Sequence, residues 1–271
     1  LTLNDSAYAV IKADRDLAVA TGKLLPENRH EVMGQIEHNG KVNNVELRLK
    51  GDWKDHWEDE KKWSFKMNIK GGAMMGMKKF NLQRPFTRGN LNEWVFHRLL
   101  RHNNLIHLRY KFVRLMLNGE DYGIYAIEEH FDKRLVENND LREGPIFKLN
   151  TDLYWYLKGG EDERLLGSPI QPYGIKKKRD SALYEKFMVV KDLIHMFKEE
   201  KIEASEVFDA GKLGRYMAII ELFGYHHAST LDNVKFYFNP VTYRVEPIGY
   251  DQSTFQLINK NLEYQNGFLL G

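Results

Sequence analysis

Apolar and polar residues alternate over residues 32–36 and again over 45–49, on either side of His38-Asn39-Gly40. Alternation of period two predicts strands with one buried face, and Asn-Gly is the strongest short-range signal for a tight hairpin. Two more strands are predicted over residues 65–69 and 79–83, separated by the glycine-bearing stretch from Gly71 to Gly76. A second hairpin is predicted over residues 112–117 and 123–128, turning at Asn118-Gly119. Between these strands, residues 91–101 read as a helix with Asn90 as N-cap, Glu93 at the third helical position and Trp94, Val95 and Leu99 facing inward. Phe131 opens a short polar helix.

The second half changes period. Leu183, Phe187, Val190, Ile194 and Phe197 form one stripe of a long amphipathic helix, and Leu213, Met217, Ile220 and Phe223 mark another over residues 210–225. The latter delivers Tyr225-His226-His227. Strands over residues 234–238 and 244–248, joined by Asn239-Pro240-Val241-Thr242, then lead to Asp251. Residues 154–178 are rich in glycine and charge without periodicity and read as an irregular insertion. The expectation is an α+β chain: a β-rich lobe over residues 1–130, with an N-terminal extension over 1–30, and a helical lobe over 131–271. The junction falls within residues 129–144.

A length of 271 residues suits one large domain or two lobes. No run approaches the roughly eighteen apolar residues of a membrane helix, so a soluble chain without a membrane span is expected. With 40 basic against 38 acidic residues, the net charge of +2 gives no footprint of nucleic-acid binding. The absence of cysteine excludes thiolate catalysis and cysteine-type zinc sites but leaves the redox compartment open. Because the chain starts at Leu1, a leader or anchor is expected to have been left off. Phosphate loops, dinucleotide fingerprints, nucleophile elbows and His-Glu-x-x-His are all missing, so phosphate binding would use side chains or other loops.

Asn233 and Asp251 flank the last predicted hairpin. Both are hard oxygen donors, and protein kinases hold magnesium with an Asn and an Asp from opposite ends of a short hairpin. The competing reading is a turn or cap residue at Asn233 and a cap or solvated acid at Asp251. His226 and His227 point about a hundred degrees apart on a helix, which disfavours a shared metal. Phe236, Tyr237 and Phe238 alternate as strand residues and are expected in the core.

Several segments occur in an order similar to the spore coat protein H (CotH) kinase family, atypical bacterial protein kinases. They are Arg48-Leu-Lys-Gly51, Lys61-Lys-Trp-Ser-Phe-Lys66, Lys79-Phe-Asn-Leu82, Arg88, Leu117-Asn-Gly-Glu120 leading into Gly123-Ile-Tyr125 and Glu129, and Asn233-Val-Lys-Phe-Tyr237 leading into Pro247-Ile-Gly-Tyr-Asp251. The resemblance implies a bilobal atypical protein-kinase-like fold: a small antiparallel β-lobe with one helix, a helical lobe with a metal-site hairpin, and ATP between them. It also implies Asn233 and Asp251 as ligands of Mg2+, with Mn2+ as the alternative ion. Where the family has a Trp-Asp-x-Asp-like run, this chain reads Tyr250-Asp251-Gln252-Ser253, one carboxylate fewer. The catalytic Asp expected about five residues before the Asn, as in kinase catalytic loops, is Ala228. The nearest substitutes are His227, a residue type able to accept the proton of an acceptor hydroxyl at neutral pH, and Asp232.

The remaining roles follow the kinase pattern, each beside a plainer reading. Lys62 and Lys66, four apart and expected on one strand face, are candidates for the ATP lysine, with Lys62 favoured by the resemblance; either is otherwise a wet-face lysine. Arg88 is a candidate phosphate contact or a surface loop residue, and Glu93 a partner for a strand lysine or an N-terminal helix acid. Glu129 falls where a kinase contacts adenine, or is a surface acid. The expected function is Mg-ATP-dependent transfer of phosphate to a protein hydroxyl. The alternatives are a non-catalytic pseudokinase in a surface or envelope assembly, and transfer of AMP. The partners are then a nucleotide and either a protein substrate or an assembly partner. The resemblance leans to an extracytoplasmic bacterial setting, and the irregular insertion is expected to shape the acceptor groove.

Overall fold

Both Asn-Gly pairs turn with positive φ at each residue, Asn39 at 51° and Gly40 at 75°, Asn118 at 50° and Gly119 at 84°. Such turns match the right-handed twist of the strands they join. They close β1 (Val32–His38) onto β2 (Lys41–Leu49), and β5 (Tyr110–Leu117) onto β6 (Glu120–Glu129). With β3 (Phe65–Lys70) and β4 (Lys79–Gln83) these strands form a six-stranded antiparallel sheet in the order β1-β2-β3-β4-β6-β5. The computed structural model describes residues 1–151, 167–177, 179–224 and 226–255. The chain divides into two compact units, Leu1–Leu91 with Arg109–His130, and Asn92–Leu108 with Phe131–Gly271.

In the first unit one sheet face is apolar, with Val45, Leu47, Phe65, Met67, Ile69 and Ile127 in its core. That face packs on α1 (Asp5–Thr21), which buries Ala7, Ile11, Asp14 and Ala18 and is capped by the Asn4 side chain accepting from the Ala7 amide at 2.8 Å. The residues expected as an N-terminal extension therefore contain a core helix. Its stripe is built largely of alanine and is broken by Asp14, which is buried and accepts the His30 amide at 2.9 Å; a search for large apolar residues passes over it.

The second unit is α+β as well, so the chain is α+β throughout. A four-stranded antiparallel sheet runs β10-β9-β7-β8, from Arg244–Ile248, Lys235–Asn239, Ile146–Leu149 and Ile170–Pro172 respectively. Around it lie α2 (Asn92–His102), α3 (Lys133–Asn138), α4 (Ser181–Lys198), α5 (Ala204–Val207) and α6 (Ala210–Leu222). The α4 stripe buries Phe187, Val190 and Ile194 with Phe236 and Phe238, as the spacing predicts. The expected irregular insertion contains strand β8; its residues 154–166 and 178 lie outside the described residues, as does Tyr225.

Helix α2 departs from the expectation. Asn90 is not its N-cap but sits at φ 59° in the turn before it, and the helix begins at Asn92. Its buried face is Glu93, Phe96, His97 and Leu100, whereas Trp94 and Val95 are each 38% exposed. A polar pair on the inner face displaced the apparent stripe by about one residue.

Candidate functional site

Hairpin β9–β10 brings Asn233 and Asp251 to one end, because Ile248 pairs with Lys235 and each functional residue lies just outside its strand. Asn233 Nδ2 donates to the His227 carbonyl at 3.1 Å. That bond fixes the amide so that its oxygen, Oδ1, is the group left to accept or to ligate. His227 sits on a single 3-10 turn, His227–Ser229, rather than on the end of α6, and its Nε2 is 3.7 Å from Asp251 Oδ1. Asp251 is held at φ 62°, a left-handed conformation that costs a non-glycine residue on the order of 1–3 kcal/mol.

The strain is held by a buried anchor. Glu93, fully buried on α2, accepts the Asp251 amide at 2.9 Å and lies 3.1 Å from His97 Nε2. The Leu108 amide donates to His97 Nδ1 at 3.2 Å, so the imidazole proton resides on Nε2 and is donated to Glu93. Gly249 permits the close approach: a Cβ there would stand 2.0 Å from Leu100 Cδ1 on α2. Glu93 thus serves Asp251 and His97; its expected partner, a strand lysine, is not among the contacts of its carboxylate within the described residues.

Ala228, the position where a catalytic Asp is expected, lies in the core with Phe96, Leu100 and Tyr216. Its carbonyl accepts from Tyr216 Oη at 2.9 Å and its amide donates to Gln252 Oε1 at 3.2 Å. Asp232, the other candidate base, accepts from the Thr151 hydroxyl, and its own carbonyl accepts from Lys235 Nζ at 2.7 Å. Gln252 and Lys235, both buried, were not legible as site residues because neither type signals chemistry by itself; Lys235 also lies over the Tyr250 ring at 5.3 Å. Among the described residues no three His, Cys, Asp or Glu side chains gather as a metal site. A cation at this hairpin would therefore rest on one carboxylate and one amide oxygen, hard donors suited to magnesium or manganese.

The first unit presents a row of polar residues across the other face of its sheet. Arg48 pairs with Lys66, Lys66 with Asn81, and Asn81 with Glu128. Burial, followed by the charges of Arg48 and Lys79, lowers the Lys66 ammonium to about 8. Beside the row, Glu128 is fully buried and accepts from Arg88 Nε at 3.0 Å, Asn81 Nδ2 at 2.7 Å and Gln83 Nε2 at 3.1 Å, while Lys50 Nζ donates to Gln83 Oε1 at 2.7 Å. Burial alone would raise the Glu128 carboxyl; Arg88 and Lys50 outweigh it and hold the group at about 2. The same cations, with burial as the larger cause, keep His56 well below the usual histidine range.

Three expectations for this unit need correction. Arg88 is not a surface loop residue, since it is 5% exposed and bound to Glu128. Glu129 is not a surface acid: it is 1% exposed and gripped by Arg109, whose Nε and backbone amide both donate to Oε2 at 3.0 Å. Lys62 and Lys66 do not share a strand face, because β3 begins at Phe65 and Lys62 stays in the preceding loop, its amide bound to Asp59 Oδ1 at 2.9 Å.

Residues 47–263, most of the chain, match a family model described as CotH kinase protein. No curated protein matches the chain.

Proposed function

The chain belongs to the CotH kinase family, and from that premise we propose that it moves the γ-phosphoryl group of ATP to a protein hydroxyl, with Mg2+, or Mn2+ in its place, held by Asp251 and Asn233. The observation carrying this reading is the open end of hairpin β9–β10. There a strained Asp251 anchored through its amide by Glu93, and an Asn233 oriented by the bond from its Nδ2 to the His227 carbonyl, both stand beside His227. The ion, when bound, supplies charge neutralisation for the transferred phosphate.

His227, whose Nε2 lies 3.7 Å from Asp251 Oδ1, is then the base that accepts the proton of the acceptor hydroxyl. Thr151 and Lys235 bind Asp232, which suits a supporting role for it. In the first unit Lys66 is the stronger candidate for the phosphate cation: it stands within the sheet beside Arg48, where clustered positive charge favours an anion. Arg88 and Glu129 act through the packing of that unit. Antiparallel strands in the first unit and the helix-borne hairpin of the second support an atypical kinase-like fold.

One observation favours a second reading, a pseudokinase: Ala228 is packed in an apolar core, so this chain supplies no carboxylate there. Mass spectrometry after incubation with Mg-ATP and casein as acceptor separates the readings. The proposal expects phosphate on casein, lost in His227→Ala with ATP binding retained. An AMP adduct, or binding without any mass gain, would overturn it.

A further inference from the structure

The first unit carries a groove that the nucleotide reading leaves unused. It holds about 540 Å³ where the Pro85–Arg88 turn and the residues after it meet strands β5 and β6 at Phe112 and Ile124. Its apolar lining is Phe86, Leu91, Phe112 and Ile124, of which Phe86 is 62%, Leu91 59% and Ile124 60% exposed. Exposed apolar residues scattered singly are ordinary, but several converging on one concavity mark a contact surface.

The charge beside that lining has one sign. Lys62 borders the groove with its ammonium over Gly123, 3.2 Å from where a Cβ would stand, and among the described residues it forms no ion pair. Arg84 lies over the Phe86 ring at 5.8 Å and 3.5 Å from Asp59. The nearby acids are occupied elsewhere, Asp121 by Arg114 and Glu120 by Lys61. Two cations thus border the apolar lining, with Asp59 as their nearest counter-charge.

We propose that this groove docks an acidic, aromatic-bearing peptide segment of a partner protein, its ring against Phe86, Leu91, Phe112 and Ile124 and its carboxylate on Lys62 and Arg84. Apolar anchors hold the segment and the rim cations choose its charge, the usual division of labour at a protein interface. A docking groove of this kind tethers a partner whether or not the chain transfers phosphate, so the inference stands apart from the nucleotide reading.

The test is fluorescence anisotropy on the full chain with a labelled peptide of alternating phenylalanine and aspartate. Control peptides carry lysine for aspartate or alanine for phenylalanine. Wild type is expected to bind the acidic aromatic peptide with an affinity that falls as salt rises. Lys62→Glu and Ile124→Ser should each weaken it by about tenfold or more, and both control peptides should bind no better than those variants. Lys62 lies in a loop and Ile124 is largely exposed, so neither change empties the core; unchanged circular dichroism and melting check this. No binding by wild type, equal binding of the lysine peptide, or equal binding by the variants overturns the proposal. A wild-type dimer dissolved by Ile124→Glu in sedimentation would assign the groove to a second copy of the chain and overturn it too.

Discussion

The polar cluster around Glu128 and the one around Asp251 are built to opposite rules. Glu128 is fully buried and surrounded by Arg88, Asn81 and Gln83, with Lys50 one bond further out. Asp251 sits at φ 62°, its backbone rather than its carboxylate gripped by Glu93, and its Oδ1 as far as 3.7 Å from His227 Nε2. A closed network of buried partners stabilises a unit, whereas a residue held in a left-handed conformation by its backbone amide stores strain at a site. The Glu128 carboxylate is committed to the fold of the first unit, while at Asp251 it is the backbone that is committed and Glu93 that commits it.

Removing a partner should therefore damage the first cluster most. Arg88→Ala leaves the Glu128 carboxylate buried without its adjacent cation and should lower stability by about 3–5 kcal/mol in urea unfolding. A loss under about 1 kcal/mol would mean that Lys50 and the two amides suffice. Next comes Gly51, at φ 90°, where a Cβ would stand 2.0 Å from the His56 ring. Gly51→Ala should cost about 1–3 kcal/mol by the same measurement, and a neutral result would show that the ring moves freely.

The second cluster should respond with the opposite sign. Asp251→Gly relieves the left-handed backbone and should raise stability by about 1 kcal/mol or less while abolishing metal-dependent nucleotide binding. A destabilised variant that still binds Mg-ATP would reverse the comparison.

Acid sharpens the contrast. The folded Glu128 carboxyl is depressed to about 2, so its contribution is present above the ordinary carboxylate value and is lost as pH falls toward about 2. Glu128→Gln should flatten that acid limb of the stability profile, whereas an unchanged limb would assign it to other carboxylates. The smallest effect concerns Lys66, which titrates at about 8 because burial and cation neighbours disfavour its charge. Between about 8 and the ordinary lysine value the unfolded chain binds the extra proton, so stability rises with pH there. Tripolyphosphate binding should weaken as pH rises through 8 and, just above it, should take up a proton, read by calorimetry in buffers of different ionisation enthalpy. Binding without proton uptake there would place the anion away from Lys66.

Elements governed by local rules were legible in the sequence. Asn39-Gly40 and Asn118-Gly119 announce their turns because few other pairs accept positive φ twice, and the α4 stripe announces its buried face through large apolar residues at helical spacing. Helix α1 hides behind small residues, and α2 shows a displaced face because Glu93 and His97 are buried where apolar residues are expected. Asn233 and Asp251 were readable as a pair flanking a hairpin. Their anchoring was not, since Glu93 lies on a helix 158 residues away in sequence and Gln252 reaches Ala228 only through the fold. The Arg88–Glu128 network was unreadable for the same reason: its members belong to separate elements, and each alone has the composition of a surface residue.

The central claim is that Asp251 holds the metal through which nucleotide binds. Isothermal titration of ATP with and without magnesium, on the wild-type chain and on Asp251→Ala, tests it most directly. The account predicts magnesium-dependent binding in the wild type that disappears in the variant while the melting temperature stays within a few degrees. Equal ATP binding by both proteins, or none by the wild type, would contradict it.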